Sequence, residues 1–157
     1  MIVALDAQLT LGTATGIGEY VMGLAHALRA RGVTVAELRE PGLDPWRFDR
    51  RVIWDQFMLP RRARVSGAQL LHCASGTMPV DAPLPTVVTV HDVAWLKVQR
   101  HAPIYARYYF GKFALNQYPR ARAIIVDSHF SRGELLDVIS VPQAKLHVVH
   151  NGVADDF

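Results

Sequence analysis

The fold turns on Arg122-Ala-Ile-Ile-Val-Asp127-Ser128-His-Phe-Ser131-Arg-Gly-Glu134-Leu-Leu136, and on Lys145-Leu-His-Val-Val-His150-Asn151-Gly152 further along. Ala123 to Val126 is a short apolar run rich in β-branched residues, which reads as a strand. Ser131-Arg-Gly-Glu134 has the spacing of a capping box, with Phe130 and Leu135 placed as its hydrophobic staple. A helix is therefore expected from about Arg132. Leu146 to Val149 reads as a second strand, and Asn151-Gly152 punctuates its end. Strand, helix, strand is the repeating unit of a parallel sheet.

The same alternation runs back to the N-terminus. Ile2 to Leu5 predicts a strand. Ile17, Tyr20, Val21, Leu24, Ala25 and Leu28 fall at helical spacing, and Gly32 stops that helix. Val33 to Leu38 predicts a second strand, followed by a turn-rich loop from Pro41 to Pro45. Phe48 to Val65 predicts a helix that Pro60 should end or kink. Gln69 to Cys73 predicts a third strand, and Gly76, Pro79, Pro83 and Pro85 mark a loop after it. Thr86-Val-Val-Thr-Val90 suits a strand covered on both faces. Residues 104–118 predict a helix rich in Tyr and Phe. The expected fold is α/β: a Rossmann-like, mostly parallel sheet of six or more strands with helices on both faces, in one domain over residues 1–157.

Composition narrows the class. Apolar residues make up 50% of the 157 and charged residues 20%, which supports one globular core. No uncharged apolar run reaches 18 residues, so no membrane span is expected. Met1-Ile-Val-Ala-Leu-Asp6 lacks a basic region and a cleavage site, so it reads as a strand and not as a signal peptide. The single Cys73 fits a reducing, cytoplasmic compartment and excludes a multi-cysteine metal site. A net charge of +3 permits anionic partners without selecting nucleic acid, which is not an expected partner.

In such sheets ligands bind beyond the carboxyl ends of the strands. The segments to weigh are Asp6 to Gly18, Ala74 to Met78, His91 to Leu96, Asp127 to Ser131, and His150 to Gly152. Gly12-Thr-Ala-Thr-Gly16-Ile17-Gly18 could bring backbone close to a phosphate at a helix N-terminus, or serve as a flexible turn. It is neither G-x-G-x-x-G nor a P-loop. His91-Asp92 ends the fourth strand, where an imidazole can hydrogen-bond a ligand and Asp92 can hold a hydroxyl; alternatively, local backbone satisfies both. Trp95 could pack on a sugar ring or sit in the core. Arg50, Arg51, Arg61, Arg62 and Arg64 form either a solvated face over buried Val52, Ile53 and Phe57 or a contact for anionic lipid. Cys73 reads as a small buried residue.

Gly16-Ile17-Gly18-Glu19-Tyr20, Val88-Thr-Val-His91-Asp92, Ala123-Ile-Ile-Val-Asp127-Ser128-His-Phe-Ser131-Arg and Val148-Val-His-Asn151-Gly152-Val153, in this order, resemble the N-terminal domain of glycosyltransferase family 4. The Thr-Val-His91-Asp92-Val segment is most similar to the mannosyltransferase-like branch. That resemblance implies one half of a GT-B fold. It implies transfer of a sugar from a nucleotide sugar, GDP-mannose by expectation, to a glycan or lipid-linked acceptor with retention and no metal. It places the donor diphosphate near Gly16, Ile17 and Gly18, and the transferred sugar at His91. The acceptor would lie toward Asp92 and Trp95, and the interdomain hinge at Asn151-Gly152. Glu19 departs from the family pattern and is expected to point away from a diphosphate. Relatives carry a basic pair and paired glutamates in a second, nucleotide-binding domain. No such glutamate pair occurs here, so the chain is expected to be an acceptor-side half, inactive alone, with peripheral membrane contact at the inner face. Two other readings stay open. One is a dinucleotide-binding oxidoreductase fragment, with Glu37 as the ribose-binding acid. The other is a non-enzymatic binding module.

Overall fold

The computed structural model describes residues 1–12, 15–97 and 102–152, with the side chains of Leu96 and Lys97 left aside. Residues 13 and 14 of the glycine-rich segment, and Val153 of the last motif, lie outside the described residues.

Six strands form one sheet: β1 (Ile2–Asp6), β2 (Thr34–Leu38), β3 (Leu70–Cys73), β4 (Thr86–Val90), β5 (Ala123–Val126) and β6 (Leu146–Val148). Their spatial order is β2-β1-β3-β4-β5-β6, and every neighbouring pair is parallel. The chain steps outward from β1 to β2, then returns past β1 to β3. That reversal is a topological switch point, where a crevice opens beyond the strand ends.

Alternation along the strands divides the core between the two faces. Leu5 points to α1 (Gly16–Ala30) and packs with Val21, Ala25 and Ala74. Its neighbour Ala4 belongs to the opposite and larger cluster, with Leu71, Val88 and Ile124. That face is covered by α2 (residues 48–65) through Trp54, Leu59 and Ala63, and by α4 (residues 104–120) through Ala114 and Tyr118. Leu135 of α5 (His129–Leu136) completes it. The short α3 (Ala94–Lys97) caps the end of β4. Helices thus lie on both faces, as the sequence predicts.

Two local expectations are corrected. The helix after β5 begins at His129, three residues before the expected start. Its cap is Ser128, whose Oγ accepts the Ser131 N–H at 3.0 Å. Ser131 turns its own hydroxyl toward Asp127 Oδ1 and the His91 carbonyl. Phe130 is consequently exposed and staples nothing. Ser128 outcompetes Ser131 because it alone sits on the extended backbone that a cap requires.

The second correction concerns α2. Pro60 does not end it. Trp54–Met58 forms a π-helical turn in which the Leu59 N–H reaches the Trp54 carbonyl, and Leu59–Val65 resumes as α-helix with Pro60 in its first turn. A proline is harmless there, because its missing N–H falls at a helix start. The helix also buries a different face from the one expected, already ahead of the wide turn. Ile53 and Phe57, expected inside, are exposed, while Arg51, Trp54 and Asp55 are buried.

Candidate functional site

A cleft of about 400 Å³ opens at the switch point. Leu9 enters it from the 3-10 turn after β1. Thr15, Gly16, Ile17 and Tyr20 enter from the start of α1, Trp46 from the loop after β2, His91 from the end of β4, and Asn151 from beyond β6.

The start of α1 supplies donors. Thr15 caps the helix: its Oγ1 accepts the Gly18 N–H at 3.2 Å, and its carbonyl accepts that of Glu19. The N–H groups of Gly16 and Ile17 have no acceptor among the described residues. Orphan donors on the positive end of a helix dipole favour an anion. The two glycines serve different ends. A Cβ at Gly16 would meet open space, whereas one at Gly18 would lie 2.8 Å from the Leu9 carbonyl oxygen. Gly16 therefore leaves room in the cleft, and Gly18 lets α1 pack against the turn after β1. Glu19 is exposed and does not line the cleft.

His91 is held from two sides. Nε2 lies 3.1 Å from the Ala74 carbonyl and Nδ1 lies 3.3 Å from Asp127 Oδ2. Both partners are acceptors, so a neutral ring donates to only one of them at a time. The ring also meets Tyr20 edge-on, with centroids 5.0 Å apart. Behind it runs a buried polar ladder. Tyr20 Oη is 3.2 Å from Thr89 Oγ1, and Thr89 Oγ1 is 2.8 Å from His72 Nε2. Burial, with a smaller contribution from neighbouring His91, lowers the His72 pKa to about 4, so His72 is neutral near pH 7.

Asp92 and Trp95 are not in this cleft. Asp92 is exposed, and its Oδ1 accepts the Ala94 N–H at 2.8 Å. Trp95 packs on Phe110 with ring centroids 5.0 Å apart. With Val93 and Tyr118 they line a separate recess of about 10 Å³, room for about one water. The indole in the main cleft is that of Trp46, about half exposed, beside the Tyr20 ring. The weighed segments omitted the exit of β2, so Trp46 was missed. The crevice rule applied to that exit would have found it.

Asn151 and Gly152 are exposed, and Asn151 lines the cleft. His150 Nδ1 donates to the Asp127 carbonyl at 3.0 Å and ties this exit to β5. Glu37 is held by Arg29 at 2.7 Å and Arg39 at 2.6 Å. Cys73 is buried, and burial raises its pKa.

Under α2 lies a polar node that the sequence hid among its arginines. Arg51 Nε lies 2.9 and 3.0 Å from the two oxygens of Asp55. Its Nη2 bonds Ser75 Oγ and, at 2.8 Å, Thr77 Oγ1, and lies 3.8 Å from Asp6 Oδ2. Asp6 Oδ1 accepts from the Trp54 indole at 2.9 Å, and Tyr109 Oη donates to Asp55 Oδ2 at 3.0 Å. Burial raises the Asp6 pKa, opposed by Arg51. Burial alone would lower that of Arg51, but Asp55 and Asp6 raise it further. The arginine expected on the surface is therefore a structural cation. It fixes Ser75, next to the Ala74 carbonyl that holds His91.

An all-parallel sheet with a helix N-terminus facing its switch-point cleft defines the Rossmann-like class of ligand-binding domains. Within that class, residues 14–157 match the family model described as Glycosyltransferase Family 4. The chain belongs to that family, and its sheet is consistent with one half of a GT-B fold. Membership gives it a general glycosyltransferase role, with nucleotide-sugar and acceptor substrates as broad classes. No curated protein matches the chain. Among the described residues no helix is long and apolar enough to cross a membrane, and no group of three His, Cys, Asp or Glu side chains could hold a metal.

Proposed function

We propose that this chain is the acceptor-side half of a retaining glycosyltransferase. It would bind GDP-mannose opposite a glycan or lipid-linked acceptor, without a metal, as its motifs imply. One observation carries this reading: the cleft sets the N–H groups of Gly16 and Ile17, without acceptors among the described residues, beside the imidazole of His91. The helix end favours the diphosphate. Among the described residues no Lys or Arg lines the cleft. The remaining charge of the departing diphosphate would therefore be met by cations of a second domain, carried on Asn151-Gly152 as hinge.

His91 touches the transferred sugar in this reading. Its 3.3 Å contact with Asp127 is the longer of its two, so a sugar hydroxyl would replace or bridge that one. Asp92 and Trp95 would meet the acceptor at the outer rim. The enzyme would work in the cytoplasm, peripheral to the inner membrane face.

The test uses the enzyme with its nucleotide-binding half. His91→Ala should lower sugar transfer by about a hundredfold or more while leaving the fold intact. Unchanged turnover would remove His91 from the site. Sugar transfer by the 157 residues alone would overturn the half-site reading.

A further inference from the structure

Asp127, the first residue past β5, is fixed from several directions. Its Oδ1 lies 3.0 Å from the Ser131 hydroxyl, which also lies 3.1 Å from the His91 carbonyl. Its own carbonyl accepts from His150 Nδ1 at 3.0 Å. Oδ2 is left facing His91 Nδ1 at 3.3 Å. The carboxylate is therefore clamped to the same backbone that carries the imidazole it faces. The His91 and Asp127 side chains are 19% and 21% exposed, so the pair stays within reach of a ligand.

Two acceptors compete for the proton of the ring. Ala74 offers a neutral carbonyl 3.1 Å from Nε2, and Asp127 a carboxylate 3.3 Å from Nδ1. The distances differ little, but a hydrogen bond to a charged acceptor is roughly twice as strong as one between neutral groups. A proton on Nε2 alone would also set the Nδ1 lone pair against the carboxylate. A proton on Nδ1 alone sets the Nε2 lone pair against a neutral carbonyl, which is the weaker repulsion. A doubly protonated ring satisfies both oxygens. In each favoured form Nδ1 bears a proton.

We propose that Asp127 is a positioning residue: its carboxylate holds the proton on His91 Nδ1 and fixes the ring at the cleft. A sugar hydroxyl can then accept from Nδ1–H and donate to Oδ2, entering the pair with no change in the number of protons. The sugar's part in this rests on the reading of His91 as the group that touches it; the place of the proton does not. Asp127 also precedes the Ser128 cap, where an acid favours the dipole of α5. The experiment separates that structural effect from the placement of the proton.

The measurement is proton–nitrogen NMR of the imidazole rings in the isotope-labelled chain at about pH 8, with His91→Gln identifying the His91 signals. The wild type should show Nδ1 of His91 protonated. Asp127→Asn should move the proton to Nε2, because an amide can turn its N–H toward Nδ1. Ser128→Ala, which removes the cap of α5 and keeps the carboxylate, should give the wild-type pattern. A wild-type His91 protonated on Nε2 alone would overturn the proposal, and that spectrum decides by itself if Asp127→Asn does not fold. An unmoved proton in folded Asp127→Asn, or the same shift in Ser128→Ala, would also overturn it. In the enzyme with its nucleotide-binding half, Asp127→Asn should lower kcat roughly tenfold or more, beyond any rise in KM. Unchanged kcat would strike Asp127 from the reaction. His91→Ala without effect on transfer would instead remove the sugar reading and leave the proton on Nδ1.

Discussion

The node beneath α2 and the cleft beside α1 both lie past the carboxyl ends of the strands, but their polar groups are finished differently. In the node, Arg51 is met by Asp55, Asp6, Ser75 and Thr77, while Trp54 donates to Asp6 Oδ1 and Tyr109 shares Asp55 Oδ2 with Arg51. Asp55 Oδ1 lacks an aligned hydrogen bond, yet it sits 2.9 Å from the guanidinium. In the cleft, two helix-end donors stand without acceptors among the described residues, beside apolar walls of Leu9, Ile17 and Trp46. A buried network whose charges meet one another stabilises the loops around it and has little capacity for a ligand. An open one is costly unless water or a ligand completes it. The charged cluster is therefore scaffold, and the nearly neutral cleft is the place for chemistry.

The contrast can be broken by removing the node's cation. Arg51→Met leaves two buried carboxyl groups without their partner and should cost about 3–5 kcal/mol in urea unfolding. A loss under about 1 kcal/mol would mean that the node is solvated. The ladder behind His91 gives the next effect. The His72 pKa is about 4 when folded against 6.5 unperturbed, so the unfolded chain takes up the proton first. Stability from this residue is complete above about pH 6.5 and is lost as pH falls toward 4, by roughly 3 kcal/mol in all. The raised pKa of Asp6 acts in the opposite sense, so the informative quantity is the difference between wild type and His72→Gln. A pH-independent difference would contradict a buried neutral His72.

The two glycines sharpen the comparison on a smaller scale. Gly18→Ala drives a methyl group against the Leu9 carbonyl and should destabilise by about 1–3 kcal/mol. Gly16→Ala meets open space and should change stability by less than about 0.5 kcal/mol while weakening diphosphate binding. Thr15→Ala removes the cap of α1 and should cost about 1 kcal/mol, and Ser128→Ala should do the same to α5. Loss at Ser131→Ala matching that at Ser128→Ala would restore Ser131 as a cap.

What could be read from the chain was periodic or punctuated. Thr86–Val90 and Ala123–Val126 sit at their expected positions because buried parallel strands write themselves as unbroken β-branched runs. The α2 face was misassigned because an arginine reads as solvent-facing, and its buried partners Asp6 and Thr77 come from distant segments. At α5 two serines three residues apart competed for one cap, and only backbone conformation separates them. His91, Gly16 and Asn151 were found by their place after strands. The local sequence did not show that Trp95 would pack on Phe110 while Trp46 faced the cleft.

The most direct test of this division is a proton–nitrogen NMR titration of the chain with inorganic pyrophosphate. The backbone amides of Gly16 and Ile17 should shift progressively, with Tyr20 and His91 following, while Arg51 and Tyr109 stay fixed. Shifts centred on Arg51, or unmoved Gly16 and Ile17 amides at saturating pyrophosphate, would contradict the account.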